Sequence, residues 1–185
     1  MDESELAILA RRIYTTHRTA LDYIFEQRPD FLLTVKKTLD NLITQRDELV
    51  LDHSSKSYIE FAAKEWSSGA FLSGDGSWTA SKRILLFEFV SDRDKVQLRL
   101  IIGPGENAIR QRLYDFAKSH SELFKPSTQS LSARWNTIWS KRFATASDLA
   151  EQDIEAVQLK LSVAWNQFIA SDLPKIRSAI HAFGS

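Results

Sequence analysis

The chain has 185 residues, enough for one domain with a substantial core and too few to expect two. Its 24 basic residues balance 24 acidic ones, so no overall positive field draws it to nucleic acid or to an anionic membrane, and any such affinity has to come from a local patch. The absence of cysteine excludes a disulfide framework, a thiolate nucleophile and cysteine-held zinc, and no apolar run approaches the ~20 residues of a membrane span.

In chain order, apolar side chains between Ser4 and Gln27 recur at Leu6, Leu9, Ile13, Ala20, Leu21 and Ile24, the spacing of one helical face. Ser4 suits the N-cap, and Asp2 and Glu3 suit the positive end of the dipole. His17 falls on the same stripe, where a histidine is ordinarily a partly buried core residue and not a ligand. Arg28-Pro29-Asp30 interrupts the helix, because proline lacks an N–H and pushes its predecessor out of the α region. Leu32, Val35, Leu39 and Leu42 or Ile43 mark a second helix that can pack back on the first, so residues 1–46 are expected to form a helical hairpin.

After Asp47 the texture changes. Asp52-His53-Ser54-Ser55 reads as a polar turn and Lys56 to Phe61 as a strand. Asp52, His53 and Ser54 are the residue types of a hydrolase triad, but consecutive side chains diverge where a triad must converge. From Ser67 to Ser81 glycine and serine dominate around Phe71, Leu72 and Trp78. The Gly-Asp-Gly-Ser within this loop lacks the Lys-Ser ending of a phosphate-cradling loop and is read as turn chemistry.

Residues 82–102 read as a hairpin. In its first strand Ile84, Leu86 and Val90 share a face with Glu88 while Leu85, Phe87 and Phe89 share the other, the pattern of a central strand. In the second, Val96, Leu98, Leu100 and Ile102 alternate with Gln97 and Arg99 as in a half-buried strand, which sets up a cross-strand Glu88–Arg99 pair of a usually structural kind. Gly103-Pro104-Gly105 ends the hairpin, and Ile109, Leu113 and Phe116 mark a helix closing near Lys118. Its free N–H groups around Gly105, with Arg110 one turn in, make a candidate anion site, although Glu106 would compete and a tight capped connection is the simpler reading.

Arg134 to Phe143 reads as a further strand, with Trp135, Thr137, Trp139, Lys141 and Phe143 on one face and Arg134, Asn136, Ser140 and Arg142 on the other with Ile138. Arginine forks match phosphate oxygens, so Arg134, Asn136 and Arg142, with neighbouring Lys141, are the candidate nucleic-acid contacts; the plainer reading is a solvated face. Thr145 or Ser147 can cap the last long helix, with Asp148 and Glu151 at its positive end and a stripe of Leu149, Ile154, Val157, Leu161, Ala164, Trp165 and Phe168. Asp172-Leu173-Pro174 then restarts a short helix carrying Ile176, Ile180 and Phe183. The expected fold is α+β in one domain: a helical hairpin (1–46), a small, mainly antiparallel sheet with an inserted helix (56–143), and C-terminal helices (146–183) covering it. The four histidines stand singly, so no metal or cofactor motif is read, and the acidic N-terminus leads straight into a helix and not into a secretory signal, which makes the cytoplasm the expected compartment, with no membrane partner.

Several stretches together, Ala10-Arg11-Arg12-Ile13-Tyr14, Ile24 to Asp30, Leu51 to Ile59, Ile84 to Phe89, Ile102-Gly103-Pro104-Gly105 with Arg110, Leu113 and Tyr114, Trp135 to Ile138 and Ser140 to Phe143, resemble the region downstream of the nuclease core in bacterial PD-(D/E)XK superfamily proteins. The nucleases of that superfamily need an acid on one strand and acid-x-Lys on the next, to hold Mg²⁺ and position water. Asp30 after Pro29 superficially resembles the first half, but no Asp or Glu in this chain is followed two positions later by lysine. The resemblance therefore implies a non-catalytic accessory domain, one that binds DNA or RNA or presents it to a nuclease partner, in phage defence or a mobile element. The alternative is an interaction module that docks a nuclease core or pairs as a homodimer.

Overall fold

The computed structural model describes residues 3–27, 30–67, 69–150 and 153–184. Expectations placed on Asp2, Arg28, Pro29 and Glu151, and on the side chain of Glu3, lie outside the described residues. The fold is α+β, with helices and a five-stranded antiparallel sheet. Two compact units are present, Met1–Asp30 and Phe31–Ser185, so the boundary falls between the two helices of the expected 1–46 segment and not after it.

The first unit is helix α1, Glu3–Gln27. It is kinked at His17, whose backbone (φ −119°, ψ 24°) leaves the helical region. Just before the kink, the hydroxyls of Thr15 and Thr16 donate to the carbonyls of Arg11 and Arg12, a back-bonding that bends helices. Tyr14 bridges the bend by donating to Asp22 at 2.9 Å. His17 is exposed, as are Leu6, Leu9 and Ile13 on the same stripe, so it is not the partly buried core residue expected.

In the second unit, helix α2 (Phe31–Thr44) buries Val35, Leu39 and Ile43, the face that the sequence marks as apolar, against the strand Leu49–Ser54 and the helix Ile154–Gln167. The sheet is a meander in which each strand pairs with the next: β1 (Leu49–Ser54), β2 (Tyr58–Ala63), β3 (Leu85–Ser91), β4 (Lys95–Ile102) and β5 (Asn136–Thr145). Asp52-His53-Ser54 belongs to β1 and is not a turn; the turn follows at Ser55, whose hydroxyl and N–H both meet the Tyr58 carbonyl. β3 is central and buried on both faces, as its pattern predicts.

One face of the sheet is aromatic. Phe61 and Phe87 stack at 5.2 Å between ring centres, Phe89 meets Phe143 edge-on at 4.9 Å, and Trp165 and Phe168 from the C-terminal helices close over them. Helix α3, Asn107–Ser119, follows the hairpin and buries Leu113, Tyr114 and Ala117.

The expected long C-terminal helix is present, but it begins at Ile154, after a separate short turn of helix, and runs on through Pro174. Thr145 opens α4 (Ala146–Leu149) with a capping box: its N–H and hydroxyl both bond Asp148, and the backbone N–H foremost holds the Asp148 carboxyl down to about 2. Helix α5 (Ile154–Gln167) then starts separately at Asp153, which caps the N–H of Ala156. Where a restart is expected before Pro174, the chain stays helical by widening to a π turn over Phe168–Asp172 and continues as α6, Leu173–Gly184. Proline cannot donate to the turn below and crowds its carbonyl; a wider turn relieves both.

Phe87 is fully buried and touches rings from β2, β5 and the C-terminal helices. Phe87→Ala is expected to lower stability by about 3–5 kcal/mol, read from the shift in urea midpoint at unchanged m-value, whereas Leu72→Ala at an exposed position should change it by less than about 0.5 kcal/mol.

Candidate functional site

The face of the sheet opposite the aromatic layer carries polar residues. Glu60 on β2 stands directly opposite Glu88 on β3, and Glu88 directly opposite Arg99 on β4. These three form one row across the sheet, and Arg99 Nη2 donates to Glu88 Oε1, the cross-strand pair that the alternation predicts. Both glutamates are withdrawn from water, at 4% and 6% exposure. The row lies in the lining of a cavity of about 440 Å³ whose other walls are Tyr58, Trp78, Ile101, Ser127, Trp135 and Thr137.

Burial raises both carboxyls. Glu60 is pushed up to about 7, by loss of water first and by the negative charge of Glu88 second, with Asp52 adding to it and the Trp78 indole opposing. Glu88 is raised as well because its burial outweighs the attraction of Arg99. With the Glu60 carboxyl at about 7 and Glu88 paired to Arg99, the row carries little net charge.

Two loops deliver the aromatic walls. The loop after Ala63 is tied to the sheet through Asp52, the unpaired residue of a bulge in β1. Asp52 is buried and accepts from Arg83 Nη1 at 2.7 Å and from the Ser81 hydroxyl. Gly-Asp-Gly-Ser is a turn as read, with Asp75 Oδ1 accepting from Ser77 N at 2.8 Å. Trp78 then lies flat on Gly103, where a Cβ would meet its ring at 2.1 Å, so only glycine seats the indole there.

The second loop is held by Arg110. Its guanidinium is buried and donates to the carbonyls of Gly103, Ser132 and Arg134 at 2.8–2.9 Å, and to Asn107 Oδ1 at 3.3 Å. The anion reading of Gly105 and Arg110 gives way here: the fork is spent on neutral carbonyls. Gly105 packs against the Ser73 carbonyl in a bridge with Gly74, and the Glu106 N–H that opens α3 donates to that same carbonyl.

The four candidate nucleic-acid residues part company. Asn136 is buried at 1% exposure and exchanges hydrogen bonds with the backbone of Ser132. Lys141 points to the helical side and pairs with Asp172 at 2.7 Å. Arg134 and Arg142 are exposed: Arg134 lies over the Trp135 ring at 5.0 Å, at the cavity rim, and Arg142 pairs in register with Gln97 on the open face. Lys141 faces the helices with Trp139 by the alternation already read, whereas Asn136 changes side because β5 bulges at Ile138, which is skipped in the pairing with β4. Thr137 thereby faces the cavity while Trp139 faces the helices, and a strict period of two puts them together.

Glu60 and Trp78 are the residues that sequence reasoning passes over. Alternation marks Tyr58 and Glu60 as the outward face of β2, and nothing local shows that two remote loops cover that face. Asp52, His53 and Ser54 diverge as expected: Asp52 holds Arg83, Ser54 donates to Asp40, and His53 is exposed. Among the described residues no group of three or more His, Asp or Glu side chains is placed to hold a metal ion, and no helix is long and apolar enough to cross a membrane. A hollow of about 660 Å³ beside β5 mixes Lys125 and Lys175 with Glu122 and Asp172, so its charges largely cancel. Comparison with family models, with curated proteins and with solved structures returned no match.

The raised Glu60 carboxyl has a stability consequence. The folded state keeps its proton up to about pH 7 whereas an unfolded chain releases it near 4.5, so the unfolded state binds fewer protons in that window and stability falls as pH rises through it. Glu60→Gln removes this penalty. Its stability relative to the native chain, measured by thermal unfolding, is expected to improve from pH 5 to pH 8 by on the order of 3 kcal/mol.

Arg110→Ala should cost about 1–3 kcal/mol by taking the donor from the buried Gly103 carbonyl and from the carbonyls of Ser132 and Arg134, and amide exchange in residues 132–136 should accelerate.

Proposed function

We propose that this chain is a non-catalytic nucleic-acid-binding module, the role implied by its resemblance to regions that accompany bacterial nucleases, and that it takes an unpaired base into the cavity on the open face of the sheet. The observation that carries this reading is the cavity's make-up: Tyr58, Trp78 and Trp135 as walls over the hydrogen-bonding floor of Glu60, Glu88 and Arg99. Single-stranded nucleic acid is recognised in this manner, its bases stacked on aromatic rings and read along their edges. A near-neutral floor suits a base and does not suit a phosphate. Phosphates fall to Arg134 at the rim and Arg142 farther along the same face, which keeps part of the contact set that β5 suggests. The acid-x-Lys pattern is missing from the sequence, which supports a module that binds or presents nucleic acid without cutting it.

The test is binding of labelled single-stranded DNA, single-stranded RNA and duplex across a salt series with Mg²⁺ present. Single strands are expected to bind more tightly than duplex, without cleavage, and with a shallow salt slope of about −1.4 for two phosphate contacts. Trp135→Ala should weaken binding by roughly tenfold or more, the worth of one stacked base, and Arg134→Ala with Arg142→Ala should flatten the slope. Absence of single-strand binding at low salt would overturn the proposal.

A second reading, an interaction module that pairs with itself or docks a partner, is favoured by α1, which exposes Leu6, Ile8, Leu9 and Ile13. A monomer in sedimentation equilibrium at high concentration would remove its self-association form.

A further inference from the structure

The floor of the cavity has an order as well as a composition. Read across the strands it runs Glu60, Glu88, Arg99: acceptor, acceptor, donor once Glu60 has released its proton above about pH 7. Within that row Glu60 Oε2 and Arg99 Nε are buried and have no hydrogen-bond partner, one at each end. Buried polar groups are almost always partnered, and leaving one unpaired costs roughly 1–3 kcal/mol. Trp66 Nε1 and Arg83 Nε are unpartnered as well but line no part of this cavity, whereas here an orphaned acceptor and an orphaned donor flank a shared carboxylate beneath aromatic walls, and one ligand supplying both complements would satisfy them together. The complement of acceptor, acceptor, donor is an edge running donor, donor, acceptor on a flat ring.

Of the four bases, guanine alone presents that edge, with its exocyclic amine and ring N–H followed by its carbonyl oxygen. Adenine and cytosine offer one donor followed by an acceptor, and would set a ring nitrogen against the Glu88 carboxylate. Uracil and thymine put carbonyl oxygens at both ends, one of them against Glu60. Rejection of an edge that leaves buried polar groups unpaired is stronger than rejection on shape. The geometry points to guanine as the base that this cavity takes, read along the row Glu60, Glu88 and Arg99 and stacked by Trp78 or Trp135. This assignment rests on the nucleic-acid reading of the same cavity and narrows it to one base.

The experiment separates the two claims. Quenching of tryptophan fluorescence in the intact chain is titrated with free guanosine, adenosine, cytidine and uridine, and in parallel with short oligothymidylates carrying one central dG, dA or dC. Guanosine and the dG strand are expected to bind at least tenfold more tightly than their counterparts, each well-made edge contact being worth about 1–3 kcal/mol of discrimination. In Glu60→Gln, where an amide replaces the acceptor pair, that preference should fall to about threefold or less while oligonucleotide binding by stacking persists. Equal binding of all strands, or a preference for dA or dC, would overturn the guanine assignment and leave the nucleic-acid reading standing. Binding of guanosine with none of the strands bound would do the reverse. The base comparison uses the native chain, so it stands even if the variant fails to fold.

Discussion

Two carboxylates, Glu60 and Glu88, face each other across adjacent strands with almost no access to water, and a single guanidinium, Arg99, answers them. That arrangement constrains the rest of the open sheet face. Burying two like charges is tolerable only if a proton is retained between them or a cation is brought close, and the molecule does both: the Glu60 carboxyl titrates near neutrality while Arg99 bonds Glu88. Stable proteins rarely keep such a row where apolar residues would serve. Its place beneath aromatic walls is the physical argument for proposing this face as a site.

The remainder of the second unit can be understood as what holds that row and its walls in place. The aromatic layer of Phe61, Phe87, Phe89 and Phe143, closed by Trp165 and Phe168, fixes the strands whose opposite faces carry the glutamates. Burial of a charge near the surface reaches into the sheet through Asp52 and Arg83, which tie down the loop that brings Trp78. Arg110 does the same for the loop that brings Trp135, with its charge spread over three carbonyls in place of an anion. Two of the four cations that the sequence offers to a ligand, Arg110 and Lys141, are thus structural, and the two left to solvent, Arg134 and Arg142, sit at the cavity's rim and farther along its face.

Much of the fold was legible. The two-sided apolar pattern of residues 85–90 marks a central strand, the one-sided pattern of 96–102 its neighbour, and together they oppose Glu88 to Arg99. The spacing of Ile109, Leu113 and Phe116 marks α3, and Thr145 with Asp148 marks a cap, because these signals are local and read the backbone directly. Where reading failed, a bulge or a remote loop was responsible. One skipped residue at Ile138 moves Thr137 to the other side of the sheet from Trp139, and period-two counting has no means of registering it. Asn136, polar and placed on the wet face by that count, is buried by its own bonds to Ser132.

By itself, then, the sequence determined most of the helices and the sidedness of the hairpin at the centre of the sheet, since hydrophobic periodicity and capping depend on neighbours only a few residues away. Tertiary structure alone decided that Glu60 joins Glu88 and Arg99 in one buried row, and that Trp78 and Trp135 wall it. Those residues lie far apart along the chain and meet through strand register, two bulges and two tethered loops. The candidate site is a property of pairing and closure, which are long-range terms, and the charge of its Glu60 carboxyl follows from burial that no local pattern encodes.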